Sequence, residues 1–385
     1  MKQVYLDNAA TTKPDIEVIQ ECLYRLENTW GNPSSAHLEG VAAAEEIKAA
    51  RTRVAALINA DPEDIIFTSG GSEANEIALT HTFYDRYIYT PLAHDSAYLG
   101  FNALASEAEC IEIPVMLDGL IDMSVLEHHL DVSRNLGGAK STLASFNWIN
   151  NETGIELPMQ EICSLCKEHG VTVHVDATQA VGCVKVDVKR LDCDFLSFSA
   201  HKINGLSGCG CLYVRDLQDK INNYMLCLSR GGLGQEYGVR PGTENLFGIM
   251  VFGEVARKHM NSWKDWRIPG VNLIEYTMAL LEENEIDFRV NGKGKKILNI
   301  HIPDIDAETL VIALAVKGVC VSAGSACREK ESKPSRVLKA MGFTDERTRQ
   351  SIRISVSADT TINDIKSFVS TLKEVIHQVR MEELE

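Results

Sequence analysis

The sequence predicts an α/β protein, with a mainly parallel sheet between helices, followed by a smaller α+β unit. Three observations lead there. Short apolar runs alternate with helix-period stretches from about residue 20 to 255, the order of strands and helices then changes, and no repeat, low-complexity tract or Pro/Gly-rich linker interrupts the 385 residues. Strands separated by helices pair in parallel, because a crossover helix returns the chain to the same sheet. At about 150 residues per domain, such a chain divides into roughly two.

The first strand is predicted at residues 64–68 (DIIFT), with a helix from Glu73 behind it. Residues 86–89 (RYIY), 141–146 (STLASF), 171–175 (VTVHV), 194–198 (DFLSF) and 211–214 (CLYV) read as further strands, being short and rich in aromatic and β-branched residues. A long helical stretch over 245–283 carries the boundary, which is placed near Ala256. The large domain is then 18–256 and the small one 257–385, with the N-terminal segment 1–17 packing on the latter. Within the small domain, 297–301 and 351–356 are predicted strands, and 307–316 and 362–380 helices. Ligands of an open parallel sheet gather at the carboxyl ends of its strands.

Composition narrows the function by exclusion. With 45% hydrophobic and 24% charged residues the chain is an ordinary globular protein. Its formal net charge of −16 repels phosphate backbones and anionic lipid, so neither nucleic acid nor a membrane surface is an expected partner. The N-terminus runs into a polar segment without the apolar core of a signal peptide, and a cytoplasmic protein is expected. Eleven scattered cysteines are expected as reduced thiols. Cys163 and Cys166 have helical spacing and Cys209 and Cys211 sit in an apolar run, so both pairs are read as packing and no metal site is predicted.

Three strand ends carry the chemistry. The run 196–205 (LSFSAHKING) ends an apolar strand in polar residues and Lys202, a position where partial desolvation lowers an amine's pKa and prepares it to form an imine. The run 171–179 (VTVHVDATQ) ends another strand in Asp176, suited to keep a pyridine nitrogen protonated. The run 67–75 (FTSGGSEAN) is strand, glycine turn and helix start, whose free N–H groups suit a phosphate. Together they describe a pyridoxal-phosphate site. Arg353 stands apart: in 351–357 (SIRISVS) it alternates with the apolar residues, and a fixed guanidinium fork fits a carboxylate.

In these segments the chain resembles the cysteine desulfurases of the class V aminotransferase superfamily, which are fold-type I pyridoxal-phosphate enzymes. The likeness runs in family order over almost the whole chain, through 5–12 (YLDNAATT), 31–37 (GNPSSAH), 150–154 (NNETG), 174–179 (HVDATQ), 199–202 (SAHK), 240–245 (RPGTEN) and 322–327 (SAGSAC). The resemblance implies a large domain with a seven-stranded sheet and the pyridoxal 5'-phosphate cofactor bound covalently by Lys202. It implies Asp176 at the ring nitrogen, His94 stacked on the ring and moving protons, and Gln179 and Asn151 at the phenolic oxygen. Gly71, Ser72, Ser199 and His201 would hold the phosphate, joined by Thr243 from the second subunit of a homodimer. Arg353, with Asn151, would bind the amino-acid substrate.

Cys327 is the residue that separates a desulfurase from its relatives. It follows small residues and precedes the charged run 328–333 (REKESK), so it is expected on an exposed loop beside cations that favour its thiolate. The implied reaction converts L-cysteine to L-alanine and leaves the sulfur as a persulfide on Cys327, for a protein acceptor in iron–sulfur cluster assembly or tRNA or cofactor thiolation. The rival readings are a selenocysteine lyase, a class V aminotransferase, and a catalytically silent protein that binds a sulfur-transfer partner. The runs 205–210 (GLSGCG) and 231–236 (GGLGQE), and Ala200, depart from the family pattern and bear on substrate breadth.

Overall fold

The structure is a computed structural model that describes residues 3–135, 141–223, 226, 234–260, 263–324 and 334–382. The chain enters through a short strand, β1 (Val4–Tyr5), and then builds a central sheet. Its strands are β2 (Ile65–Thr68), β3 (Arg86–Tyr89), β4 (Glu109–Glu112), β5 (Thr142–Asn147), β6 (Thr172–Asp176), β7 (Phe195–Ser199) and β8 (Gly210–Val214). They lie in the order β2-β8-β7-β6-β5-β3-β4. The predicted seven-stranded, mainly parallel sheet is what forms.

Only β8 runs against the others, antiparallel to both β7 and β2. The reason is the link 200–209, which is shorter than the dozen or so residues a parallel crossover needs. The chain therefore turns back at once, and that turn carries Lys202. Strands β2, β3, β5, β7 and β8 are buried at every position, which explains their continuous apolar runs. Edge strand β4 (ECIE) is not, and its sequence gave no apolar run to read.

The C-terminal part forms β9 (Arg289–Lys293), β10 (Ile297–His301), β11 (Val319–Cys320) and β12 (Ser351–Ser355). The sheet β12-β10-β9 is antiparallel, and β11 pairs in parallel with β1. Its core joins Leu298, Ile300, Ile352 and Ile354 to Phe368 and Leu372 of the last helix, Ile362–Glu382. The main core lies around the central sheet, and Val337, Leu338 and Met341 from far down the chain pack into it. The single stretch predicted over 245–283 is two helices, Leu246–His259 and Trp263–Glu283, the first capped by the Asn245 side chain.

The N-terminal segment, expected whole on the small domain, is shared. Val4 and Leu6 join the C-terminal core, but the residues after them lie against the lysine turn. The Thr12 hydroxyl donates to the His201 carbonyl at 2.8 Å and accepts from the Asn204 N–H at 2.8 Å, satisfying backbone groups the tight turn leaves over. Among the described residues no helix is long and apolar enough to cross a membrane.

Candidate active site

The carboxyl ends of the parallel strands open into a cavity of about 190 Å³. Helix Gly71–Thr80 after β2 supplies Gly71, Ser72 and Asn75, and the segment after β3 supplies His94 and Ser96. Asn147 and Asn151 come from the end of β5 and beyond, Asp176, Thr178 and Gln179 from the end of β6, and Ser199, His201 and Lys202 from the end of β7. Ala9 and Ala10 close one side, and Arg353 of β12 reaches in from the other sheet. Ten of the twelve residues named from the sequence thus meet in one cavity. Of the other two, Thr243 lies in an exposed turn outside it, and Cys327 lies outside the described residues.

At the glycine-turn end, β2 passes through residues 69 and 70 into helix Gly71–Thr80, whose first N–H groups have no helical partner. The turn is built for close approach. A Cβ on Gly210 would stand 2.5 Å from the Gly70 backbone, and one on Gly71 would stand 2.9 Å from Thr178 Oγ1. Glu73 braces the turn by accepting from the Ser69 N–H, and it pairs with Arg240 at 3.2 Å. Burial would raise its pKa, but the Ser69 hydrogen bonds and the Arg240 guanidinium hold the carboxyl below its ordinary range. The charge of Glu73 is thereby kept occupied outside the cradle.

Asp176 is 8% exposed, accepting from Asn75 Nδ2 at 2.9 Å and from the Thr178 N–H at 3.0 Å. Two residues back on the same face, His174 is fully buried between the hydroxyls of Ser145 and Ser197, at 2.8 and 2.9 Å. Burial pushes its pKa down to about 4, so at neutral pH it backs the acid as an uncharged ring. Lys202 Nζ donates to the carbonyls of Ala9 and Ala10 at 2.5 and 2.6 Å. Its neighbour His201 is pushed down to about 4 by burial and by that ammonium, and adds no charge of its own.

His94 caps helix Asp95–Leu104: its Nδ1 accepts from the Ser96 N–H at 3.2 Å. In the neutral ring that assignment leaves the proton on Nε2. Gln179 Nε2 donates to the Ala9 carbonyl at 2.8 Å. The turn presenting Asn151 is clamped by Asn150, whose Oδ1 accepts from the N–H groups of Glu152 and Thr153 at 2.9 and 2.8 Å. Arg353, 1% exposed, pairs with Asp7 at 2.6 Å and donates to the Asn151 carbonyl at 2.9 Å and to Ser322 Oγ at 3.1 Å.

Sequence reasoning left out Asn75, Ser96, Asn147, Thr178 and Asp7. Asn147 ends an apolar strand as Asp176 does, and that signal was there to be used. Asn75 lies one helical turn beyond Gly71, on the same face. Nothing local marks Asp7, which acts on a residue 346 positions away. Among the described residues, twelve buried side-chain atoms have no hydrogen-bond partner, and five of them belong to this cavity: Asn75 Oδ1, both amide atoms of Asn147, Gln179 Oε1 and Arg353 Nε. Buried polar atoms are normally paired, so their convergence marks a place where a polar ligand completes the bonding.

The family described as aminotransferase class-V matches residues 4–368. Cysteine desulfurase IscS of Methylococcus capsulatus is 35% identical over 389 residues, covering 98% of this chain and 93% of that protein. Among solved structures, a NifS-like protein from Rickettsia africae superposes with a TM-score of 0.85 at 28% identity, covering 97% of this chain and 99% of its own. A structure titled "SspA in complex with cysteine" superposes with a TM-score of 0.77 at 28% identity, covering 93% and 99%.

Proposed function

The chain belongs to the aminotransferase class-V family, and on that premise we propose that it is a pyridoxal-phosphate-dependent cysteine desulfurase. It would convert L-cysteine to L-alanine and carry the sulfur on Cys327 to a protein acceptor. The observation that carries the reading is the single cavity into which an amine, an acid and a glycine cradle project together. The residues present fit the cofactor. A Cβ at Gly71 or Gly210 would displace its neighbours, and the unpaired amide atoms are of the kind a substituted pyridine would satisfy. The named relative is a cysteine desulfurase, and the titled structural neighbour binds cysteine.

Lys202 would bind the cofactor, Asp176 its ring nitrogen, Gln179 and Asn151 its phenolic oxygen, and Gly71, Ser72, Ser199 and His201 its phosphate. When bound, pyridoxal phosphate supplies an electron sink that makes loss of the substrate's Cα proton tolerable. Lys202 Nζ then moves that proton, its ammonium form held by the Ala9 and Ala10 carbonyls. His94 carries a further proton on Nε2. Arg353 orients the substrate carboxylate, its fork already set by Asp7 and the Asn151 carbonyl.

For the sulfur step, none of the nine described cysteines lines the cavity. Burial raises the pKa of Cys166, Cys193 and Cys209 to about 12, which keeps them as thiols and poor nucleophiles. The described residues flanking 325–333 are tied to the cavity's surroundings: the Ser322 carbonyl accepts from the N–H of Arg353, which lines it, at 2.7 Å, and the Ser335 hydroxyl donates at 2.5 Å to Glu152, the neighbour of the lining residue Asn151. Attack of the Cys327 thiolate on the substrate sulfur is thus the reading with support on both sides of the segment. A homodimer in which Thr243 of one subunit completes the other's phosphate site belongs to the same proposal, as does a cytoplasmic location.

The test is an assay of purified protein with L-cysteine and a thiol reductant, measuring alanine and sulfide. Equal yields of both are expected, and Cys327→Ser should form neither. Full alanine formation by that variant would overturn the assignment of the sulfur carrier.

A further inference from the structure

Asn147 is the last residue of β5 and Asp176 the last of β6, and the two are Cα partners in a parallel ladder. Partners in a ladder project from the same face of the sheet at the same level, and both residues line the cavity. Their bonding differs. Each oxygen of Asp176 has a donor, whereas Asn147 is 5% exposed and neither its amide nitrogen nor its amide oxygen finds a partner in the protein. The neighbouring Asn75 is in a related position: its Nδ2 is committed to Asp176 and to Ser96, and its Oδ1 is left over.

A buried amide without partners gives up hydrogen bonds that water makes in the unfolded chain, so it destabilises the fold it sits in. Leucine would occupy nearly the same volume without that cost. The substrate's carboxylate already has a candidate anchor in Arg353, which arrives from the other sheet; Asn147 shares its level with the acid instead. Deepening the proposed function, and resting on it, we infer that Asn147 is a further cofactor-binding residue, whose amide hydrogen-bonds the polar substituents of pyridoxal phosphate from the strand end beside Asp176.

Two measurements should then move in opposite directions. In Asn147→Leu, the cofactor-depleted protein should melt at a higher temperature than the wild type. The dissociation constant for pyridoxal phosphate, read by absorbance and fluorescence titration, should rise about tenfold, the worth of one or two hydrogen bonds. Asn147→Ser, which keeps a hydroxyl, should fall between. An unchanged dissociation constant in Asn147→Leu overturns the inference, and so does a depleted variant that melts lower or fails to fold, since either shows the amide to be serving the protein itself. The wild type separates this failure from that of the underlying reading. If it binds pyridoxal phosphate with an absorbance band that Lys202→Ala abolishes, the reading stands whatever Asn147 does; if it binds none, both fall.

Discussion

The two sheets contribute to the cavity in different ways. From the seven-stranded sheet, β5, β6 and β7 each end in a polar residue at the cavity, and the turn after β7 adds Lys202. From the three-stranded sheet comes Arg353, at the middle of β12, held by Asp7 and by the carbonyl of Asn151. A strand end is positioned by its ladder, and several neighbouring strands share the load. A single arginine reaching across is positioned by its partners. The first arrangement should tolerate change in distant segments, and the second should not.

The largest effect should come from the strand-end amine. On the proposed function Lys202→Ala would remove both the covalent attachment and the proton carrier, and alanine formation should drop by about 10²–10⁴-fold, the span for a positioned acid–base group. A drop of only a few-fold would leave the comparison without its stronger half. Next comes the reaching residue. Arg353→Ala should raise the KM for L-cysteine by roughly 10- to 100-fold, the worth of a charge-assisted carboxylate contact, with a smaller change in kcat. Because Asp7 holds the Arg353 fork, Asp7→Ala should repeat that pattern at about five-fold without touching the cavity's other wall. An Asp7→Ala protein with wild-type KM would show that β12 alone orients the guanidinium.

The smallest effect is on stability. His174, behind Asp176 in the central sheet, has a native pKa near 4 because burial disfavours its charged form, and His201 and His259 are pushed to about 4 as well. Their unfolded value is near 6.5. Between these values the unfolded chain takes protons that the native state refuses. The histidine contribution to stability is therefore complete above about pH 6.5 and is lost progressively as the pH falls toward 4. For the fully buried His174 the slope is ~1.4 kcal/mol per pH unit. Urea midpoints measured across that range should fall with pH, and His174→Gln should flatten the curve. An unchanged slope would show that His174 does not titrate with unfolding.

Much of the fold was legible because the central strands are short apolar runs buried on both faces, and such runs announce themselves. Among the strands that escaped notice are β4, at the sheet's edge, and β9, whose sequence RVNGK is mostly polar, along with the two-residue β1 and β11, too short to form a pattern. The single helical stretch expected over 245–283 is described as two helices, Leu246–His259 and Trp263–Glu283. At the cavity, most residues within a few positions of a strand end or glycine turn were found, Asn147 and Thr178 excepted. Those that act on another residue were not: Asn75 on Asp176, Asn150 on the turn of Asn151, Asp7 on Arg353. Their roles exist only as contacts.

By itself, then, the sequence determined where strands stop and which side chains stand at those stops, because the alternation of apolar run and polar end is local and survives any arrangement of the rest. The tertiary structure alone decided that Arg353 meets Asp7 across 346 positions, that the N-terminal segment divides between the C-terminal core and the lysine turn, and that Asn147 stands level with Asp176 with its amide unpaired. Pairing between remote groups depends on the register of strands and on what fills the space between them, and neither is written in the spacing of residues along the chain.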